Sequence, residues 1–400
     1  MAENNIPNQT FTEEDVEQWF EEETIQGEDI ERSEDPASKY ARSQLRVVRE
    51  TKDYQLDYLK NSLGQTGRTI ETSPSYQRRL RWTRKKRSLL IESFLLNIPI
   101  PPVFLFEYDY NEYEVIDGRQ RLESIREFLN NDFALSGLEY WPELNRKRFN
   151  DLPSVLQKGL LRRSLSAVVL LAETRDTHED DLDVRTVLFD RLNTGGVGLN
   201  PQELRNALYP GELNKLLISL ARTDSFTKTW SIPSYTPGEE KEPPEDLERN
   251  TLYRSMADAE LVLRFFALRD AIRNNRRGSL RRILDRYMRE NRNISKAQRE
   301  EMYSEYVDLL GRFVHLFDGK PFRLPGASRP SRPLYDALMI ALSFYPSIDL
   351  VHNGAQIKSR LSAALEDDHN YDVLVGRGNT IEAVHDRVHL TSNILGVGHE

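Results

Sequence analysis

Residues 114–121, with the sequence EVIDGRQR, have the types and spacing expected of an anion-binding turn. An apolar stretch typical of a strand leads to Asp117, Gly118 permits a tight turn, and a helix is predicted to follow immediately. The first amides of a helix lack intrahelical partners, and the helix dipole adds positive charge there. This turn is therefore suited to a phosphate or a carboxylate.

Two arginines in the first turn of this predicted helix favour the same interpretation. Arg119 and Arg121 oppose the helix dipole, at a cost of about 0.3–1 kcal/mol each in an isolated helix, and a bound anion would reverse that sign. A purely structural alternative remains open. In it Asp117 is the N-cap, Gln120 completes a capping box, and both arginines lie at the surface.

Two other segments carry side chains that suit a phosphorylated ligand. Residues 76–82, YQRRLRW, place Arg78 beside aromatic residues, where a guanidinium can bind phosphate and a ring can stack on a base. Residues 189–196, FDRLNTGG, end in a double glycine that permits close backbone approach. Three polar side chains precede those glycines, namely Arg191, Asn193 and Thr194. An ordinary helix end with a left-handed glycine is the alternative for this segment.

The elements that must position these residues follow from hydrophobic periodicity and capping. Strands are predicted at 103–108, 113–116 and 164–172. Helices are predicted at 54–63, from Thr83, after Gly118, at 153–161, at 181–192 and from Asn200. Residues 251 onward show almost only helical patterns. The fold class is therefore α+β, with a mixed amino-terminal domain followed by a mostly α-helical one.

Composition limits the class of protein. Hydrophobic residues make up 38% of 400 residues, which excludes a wholly disordered or fibrous chain. There is no cysteine, so disulfides, thiolate metal sites and a cysteine nucleophile are excluded. The sequence contains no membrane-length apolar run, and its first residues do not resemble a signal peptide, so a cytoplasmic protein is expected.

Charge is divided unevenly along the chain. The net charge is −9 overall, but residues 1–36 alone carry −12. Two basic patches follow, at 68–87 and 269–299, and basic surface of this kind can bind a phosphate backbone. Within the second patch we expect nucleic acid to contact four arginines, namely Arg276, Arg277, Arg281 and Arg282. A solvated helix face is the alternative.

These features predict four regions. They are an acidic flexible tail at 1–36, an α/β nucleotide-binding domain at 37–222, a proline- and acid-rich linker at 223–250 and an α-helical domain at 251–400. Within the tail, Thr12 and Asp15 resemble a helix start, and the residues after them form an apolar face. This segment is expected to be solvated, to dock a partner, or to fold back on a basic patch of its own chain.

The order of the three motifs resembles a known family. YQR before a tryptophan, VIDGRQRL, and FDRLNTGGVGLNPQELRNA are similar to the amino-terminal domain of GmrSD-type restriction endonucleases. The resemblance covers about residues 50–222. It implies a fold like that of the ParB/sulfiredoxin group and a role in bacterial defence against phage.

In that family a DGQQR-type motif is implicated in nucleotide binding and hydrolysis. Its residues correspond here to Asp117, Gly118, Gln120 and Arg121, while Arg119 departs from the usual glutamine. Arg78 corresponds to the arginine of the YQR motif. Arg191 and Asn193 correspond to an RxN motif. Relatives that cut DNA often carry a His-Asn-His nuclease domain, and no such pattern occurs in this sequence.

The leading hypothesis is a nucleotide-binding and NTP-hydrolysing module of a restriction or anti-phage system. Asp117 and Arg121 would be catalytic, Asp117 would hold Mg²⁺ or Mn²⁺, and Arg78 and Arg191 would clamp the phosphates. Three alternatives remain: a DNA-binding or regulatory subunit without turnover, a ParB-like nuclease, and a scaffold that recruits a nuclease subunit. The expected partners are a nucleotide, DNA and, in the scaffold alternative, that nuclease subunit. No membrane is expected, and self-association is left open. The pair His385 and His389 lacks a third ligand that would suggest a metal site.

Overall fold

The chain divides into two compact units. The computed structural model describes residues 10–23, 49–64, 69–71, 82–171, 200–240, 243–376 and 380–397. One unit, here called the helical unit, comprises Met1–Glu31 and Asn200–Glu400, and the other, the sheet unit, comprises Arg32–Leu199. The predicted α+β class is confirmed.

The first described element is helix α1, Glu13–Glu22, in the acidic region. Thr12 caps it, and Asp15 completes the predicted capping box. Val16 and Phe20 are buried in the helical unit, so this helix is not a solvated tail. Apolar side chains at helical spacing hold an otherwise acidic segment against its own chain.

A mixed sheet forms the centre of the sheet unit. Its strands are β1 Arg49–Gln55, β2 Leu63–Gly64, β3 Ile70–Glu71, β4 Val103–Asp109, β5 Glu112–Asp117 and β6 Ser164–Leu170, in the order β1-β6-β4-β5-β3-β2. The pair β4–β5 is antiparallel and β4–β6 is parallel. Asp117 pairs with Phe104, so it lies where β5 ends and β4 begins.

Strand β1 was not predicted from the sequence. Its residues, RETKDYQ, are mostly charged or polar, and alternation of apolar residues is almost absent. It pairs antiparallel with β6 at the edge of the sheet, where most of its side chains are exposed. An edge strand with one neighbour needs little apolar surface, and its backbone hydrogen bonds hold it.

Helices pack on this sheet and complete its core. They are α2 Leu56–Ser62, α3 Arg84–Leu95, α4 Arg119–Leu129 and α5 Ser154–Leu161. The Thr83 side chain caps α3 as predicted, accepting from the Lys86 amide. The predicted apolar faces are buried, including Ile91 and Phe94 of α3 and Ile125 of α4. This core fixes the end of β5 and the start of α4.

In the described residues after Asn200 the only regular elements are helices. They are α6 Pro201–Leu208, α7 Glu212–Leu220, α8 Asp224–Trp230, α9 Glu245–Arg249, α10 Thr251–Arg254, α11 Ala257–Arg273, α12 Leu280–Glu290, α13 Lys296–Leu316, α14 Arg332–Phe344, α15 Gly354–Glu366, α16 Asp368–Val375 and α17 Ile381–Leu395. Every residue of α11 from Ala257 to Leu268 is buried, which places this helix at the centre of the unit.

The boundary between the units lies at Leu199/Asn200 rather than at 222. Helices α6 and α7 belong to the helical unit, and so does the segment 223–250 that was predicted to be a linker. Trp230 is fully buried in that segment, and the buried Glu239 accepts two hydrogen bonds from Arg222, at 2.6 and 2.9 Å. Proline and acidic residues dominate the composition of this segment, but the burial of Trp230 and the Arg222–Glu239 pair pack it against the rest of the helical unit.

Buried charges tie α1 to the helical unit. The guanidinium of Arg205 is 1% exposed and binds three carboxyl groups, those of Glu23 at 2.7 Å, Asp285 at 2.7 Å and Glu260 at 3.3 Å. Burial opposes ionisation of Glu23, but Arg205 and Arg264 hold its pKa below the usual value. Burial and the Glu23 carboxylate raise the pKa of Glu260 well above its usual value. A protonated Glu260 can therefore donate to Glu23 while it accepts from Arg205.

We expect Glu260→Gln to make the helical unit more stable than wild type at neutral pH. A carboxyl whose pKa is raised by folding contributes stability below its unfolded pKa of about 4.3, and that contribution is lost as the pH rises. Glutamine keeps a donor for Glu23 and an acceptor for Arg205 but cannot ionise. Urea unfolding from pH 4 to 9 should show an advantage of the variant that grows with pH. An advantage that shrinks with pH would contradict the assignment.

Candidate functional site

The turn between β5 and α4 has the geometry that the sequence predicts. Gly118 joins the two elements with φ 92°, a left-handed conformation that side chains disfavour. A Cβ at this position would lie 2.3 Å from Cγ1 of Val103, so only glycine fits. The N-cap is Gly118 rather than Asp117, and no side chain caps the helix. Because glycine has no side chain, the N-cap residue itself contributes no side-chain oxygen to the first turn of α4.

Asp117 and Arg121 form an ion pair beside this turn. The Arg121 Nη2 donates to the Asp117 carboxylate at 2.6 Å, and the Asp117 side chain stays 31% exposed. The Arg121 Nη1 donates to the carbonyl oxygens of Pro101 at 2.6 Å and Pro102 at 3.3 Å. Arg121 thus braces Asp117 against the loop that precedes β4. Both Nη groups of Arg121 therefore already have acceptors within the chain, and a phosphate would have to compete with them.

The side chains of Arg119 and Gln120, the other polar residues of the motif, each bond to a different partner. Arg119 donates from Nε to the buried Glu123 carboxylate at 3.0 Å, which balances its charge. Gln120 accepts from the Trp82 amide through Oε1 at 3.1 Å. The capping box of the purely structural alternative is therefore absent, because the Gln120 side chain accepts from Trp82 and the N-cap is Gly118.

The hydrogen bond from the Trp82 amide to Gln120 places Trp82 beside the 114–121 motif. Arg78 itself lies outside the described residues, but Trp82 holds the carboxyl end of its segment at Gln120. At the other end of the segment, Glu71 of β3 pairs with Glu114 of β5. Both ends thus lie beside the 114–121 motif.

The third motif is not covered by the structure. Arg191, Asn193 and Thr194 lie outside the described residues, as does the predicted helix at 181–192. The last described strand before them, β6, ends at Leu170, which pairs with Phe106 rather than with the start of β4. The convergence of three motifs in one cradle therefore stays a prediction.

Sequence reasoning missed two parts of this site. The first is the bracing role of Arg121, which depends on a loop nineteen or twenty positions away in sequence. The second is the contact from Gln120 to Trp82, at a separation of 38 residues. The prolines at 99, 101 and 102 mark the end of α3 in the sequence, but they do not indicate a contact with Arg121. Neither contact leaves a local pattern.

At the turn between β5 and α4, the described side chains could hold a hydrated divalent cation only together with a bound ligand that supplies further oxygens. Among the described residues no group of three or more His, Asp or Glu could hold a metal ion by itself. Asp117 offers one partly exposed carboxylate at the turn. Mg²⁺ commonly binds through one or two carboxylates, several waters and substrate phosphates. Asp117 is compatible with that arrangement for Mg²⁺ or Mn²⁺.

The predicted nucleic-acid patch surrounds the start of α12, and its arginines differ. Arg276 is paired with Asp270 and Glu290, each at 2.9 Å, so its charge is neutralised. Arg277 and Arg282 are exposed. The Arg281 backbone amide donates to the Glu23 carbonyl at 3.4 Å, so this end of the patch adjoins α1. The net positive charge of this patch is therefore smaller than its count of arginines suggests, because Arg276 is paired with two carboxylates.

Comparison with known proteins gives one family match, which covers most of the sheet unit and continues through α6 of the helical unit. Residues 57–210 match the family model of the GmrSD restriction endonuclease, N-terminal domain, and this stretch is therefore a domain of that family. A domain of this family implies a component of a restriction or defence system. No curated protein and no solved structure gave a match to the chain.

In the ranges that the structure describes, no helix has both the length and the apolar composition required to cross a bilayer.

Proposed function

We propose that the sheet unit binds a nucleoside triphosphate at the start of α4 and hydrolyses it as part of a restriction or anti-phage system. The observation that carries this proposal is the left-handed glycine turn at Gly118, which places the start of α4 directly after the partly exposed carboxylate of Asp117. A helix start next to a carboxylate suits a phosphate together with its divalent cation. The ParB/sulfiredoxin-like fold belongs to the same proposal.

Each motif residue has a separate role in this proposal. The α4 amides and Arg78 bind phosphate oxygens, and Arg191, Asn193 and Thr194 approach from the third motif. Asp117 orients the attacking water and accepts its proton as the terminal P–O bond breaks. A bound Mg²⁺ or Mn²⁺ would neutralise phosphate charge. Arg121 acts through Asp117, because its guanidinium holds that carboxylate at 2.6 Å.

Hydrolysis assays with single substitutions test these roles. We expect Asp117→Ala to lower kcat by at least about 100-fold, within the range that general-base catalysis contributes. Arg121→Ala should lower kcat less, because Asp117 stays in place with a wider range of orientations. Phosphate release from NTP and Mg²⁺ or Mn²⁺ is the measurement. Lys158→Ala on α5 is a control that should leave turnover unchanged. Equal turnover in wild type and both motif variants would refute the catalytic assignment.

A DNA-binding or regulatory role is the second candidate, because Arg277 and Arg282 are exposed beside the start of α12. In this alternative the sheet unit binds nucleotide without turnover, and the chain recruits a nuclease subunit. Nicking of plasmid DNA that disappears in Asp117→Ala would instead favour a nuclease activity in the sheet unit. Copurification of a nuclease without any need for nucleotide would favour a scaffold.

The double substitution Arg277→Ala and Arg282→Ala tests the patch. If both arginines contact phosphates of duplex DNA, the slope of log K against log salt should become shallower by about 1.8. Fluorescence anisotropy with a short duplex at several salt concentrations measures this slope. Arg276→Ala is the matched control, and it should change the slope less because Arg276 is already paired with two carboxylates. Identical slopes for the double variant and wild type would exclude the patch as a contact.

A further inference from the structure

Helix α1 is bound to the helical unit through arginines along its length. Arg254 pairs with Glu13 near the amino end of α1. Arg329 Nη1 lies 2.5 Å from the Asp15 carboxylate. Arg332 Nη2 lies 2.5 Å from the Glu22 carboxylate. We call the surface formed by Trp230, Arg254, Arg329 and Arg332 the α1 cleft.

Aromatic rings supply the floor and sides of this contact. The centroids of Phe11 and Trp19 lie 5.9 and 6.2 Å from that of Trp230. The Arg329 guanidinium lies 5.1 Å from the Phe11 ring centroid, and that of Arg332 lies 5.1 Å from the Trp19 ring centroid. A cavity of about 330 Å³ remains between α1 and the segment 324–333. Two of these three rings, Phe11 and Trp19, belong to the α1 segment, so Trp230 is the ring that the cleft itself contributes.

Removal of α1 would leave the cleft strongly positive. The carboxylates of Glu13, Asp15 and Glu22 balance one arginine each. Burial and the nearby Arg264 guanidinium lower the pKa of Arg332, and Glu22 at 2.5 Å and Glu260 at 3.9 Å oppose that shift. From Glu13 to Glu22 the helix rises about 14 Å, the length over which one strand of duplex DNA presents about four phosphates.

The carboxyl end of α1 is anchored by the buried Glu23, which pairs with Arg205, whereas the ion pairs of Glu13 and Asp15 are more exposed and can be replaced more easily. The helix has 10 residues, fewer than the ~12–15 that an isolated helix needs for stability, so it depends on its contacts in the cleft. The chain leaves the helical unit after Glu31 and re-enters it at Asn200, with the whole sheet unit between. Two of its ion pairs, those of Arg254 and Arg329, are partly exposed and therefore weakened by salt.

We propose that the α1 cleft is a binding surface for the phosphate backbone of DNA, and that α1 occupies it as an acidic competitor. The cleft adjoins the start of α12 through the contact from the Arg281 amide to the Glu23 carbonyl. The exposed Arg277 and Arg282 lie near that same helix start. This basic surface continues beyond the end of a ten-residue helix, which favours a long polyanion over a second acidic helix.

The test compares two full-length double variants with the same change in net charge. Asp15→Asn with Glu22→Gln neutralises the face of α1 that meets Arg329 and Arg332. Glu14→Gln with Glu17→Gln neutralises exposed positions of the same helix. Binding of a short fluorescent DNA duplex is measured by anisotropy at several salt concentrations. We expect the first double to bind at least about tenfold more tightly than the second at low salt, with a slope steeper by up to about 1.8.

A third substitution and a competing peptide complete this DNA-binding experiment. Arg329→Ala in the first double background should abolish most of the gain, and a synthetic peptide of residues 10–23 should compete with the DNA. If the first double fails to fold by circular dichroism, Asp15→Asn alone replaces it, because the Asp15 and Arg329 side chains are only half-buried. Equal affinity of the two doubles, a gain that survives Arg329→Ala, or a peptide that does not compete would overturn the proposal. Tight peptide binding that DNA cannot displace would assign the cleft to an acidic helix and would also overturn it.

Discussion

Arg205→Met is expected to lower the free energy of unfolding of the helical unit by about 3–5 kcal/mol, the usual effect of removing one partner from a buried ion pair. The guanidinium is 1% exposed and binds Glu23, Asp285 and Glu260. Methionine has a similar length but cannot balance a carboxylate. Urea unfolding followed by far-ultraviolet circular dichroism measures the change. A loss below about 1 kcal/mol would show that these carboxylates do not need Arg205.

Two comparisons separate charge from packing in this experiment. Adding Glu23→Gln to Arg205→Met should restore part of the lost stability, since it removes a buried charge that has no partner. The gap between wild type and Arg205→Met should also narrow as the pH falls through the usual range for glutamate. The lowered pKa of Glu23 contributes stability only while the carboxylate is ionised, and protonation removes that contribution from wild type. A gap that widens at low pH would contradict this account.

Gly118→Ala is expected to destabilise the sheet unit by about 2–6 kcal/mol. A left-handed φ costs a non-glycine residue roughly 1–3 kcal/mol, and overpacking costs about 1–3 kcal/mol more. Both terms apply, because φ is 92° and a Cβ would lie 2.3 Å from Val103 Cγ1. Thermal unfolding measures the loss. Nucleotide binding should also weaken, because the same Cβ would lie 3.1 Å from Arg121 Nη2 and disturb the brace on Asp117.

The double variant Gly118→Ala with Val103→Ala is the control for this prediction. Shortening Val103 removes the steric contact but not the strained φ, so about half of the lost stability should return. Val103→Ala alone measures the cost of the new cavity in the core. If Gly118→Ala unfolds at the wild-type temperature, the backbone at this turn does not have the conformation described.

The substitutions at Arg205 and Gly118 both disturb ion pairs that hold charged residues in place, one set at α1 and the other at the 114–121 motif. The acidic amino-terminal segment is held by Arg205, Arg329 and Arg332 rather than left in solvent. The motif arginine Arg121 is held by Asp117 and two proline carbonyls rather than left free for a ligand. In each case a charge that looks available in the sequence already has a partner in the fold. A functional role for such a charge must therefore compete with that partner.

The sequence by itself determined the features that arise from neighbours along the chain. The capping boxes at Thr12 and Asn200, the Thr83 cap, the β4–β5 hairpin and the glycine turn before α4 all depend on residues a few positions apart. The family resemblance depends on ordered motifs of the same local kind, and the match at residues 57–210 confirms it.

The tertiary structure alone decided which charged residues are paired and which helices share a core. Arg205 meets Glu23 across 182 positions, Trp82 meets Gln120 across 38, and α1 joins the unit that begins again at Asn200. Strand β1 and the buried segment around Trp230 were missed because their few decisive contacts are distant in sequence. Ion pairs and apolar contacts of this kind act through space, and a local pattern does not record which distant residue completes them.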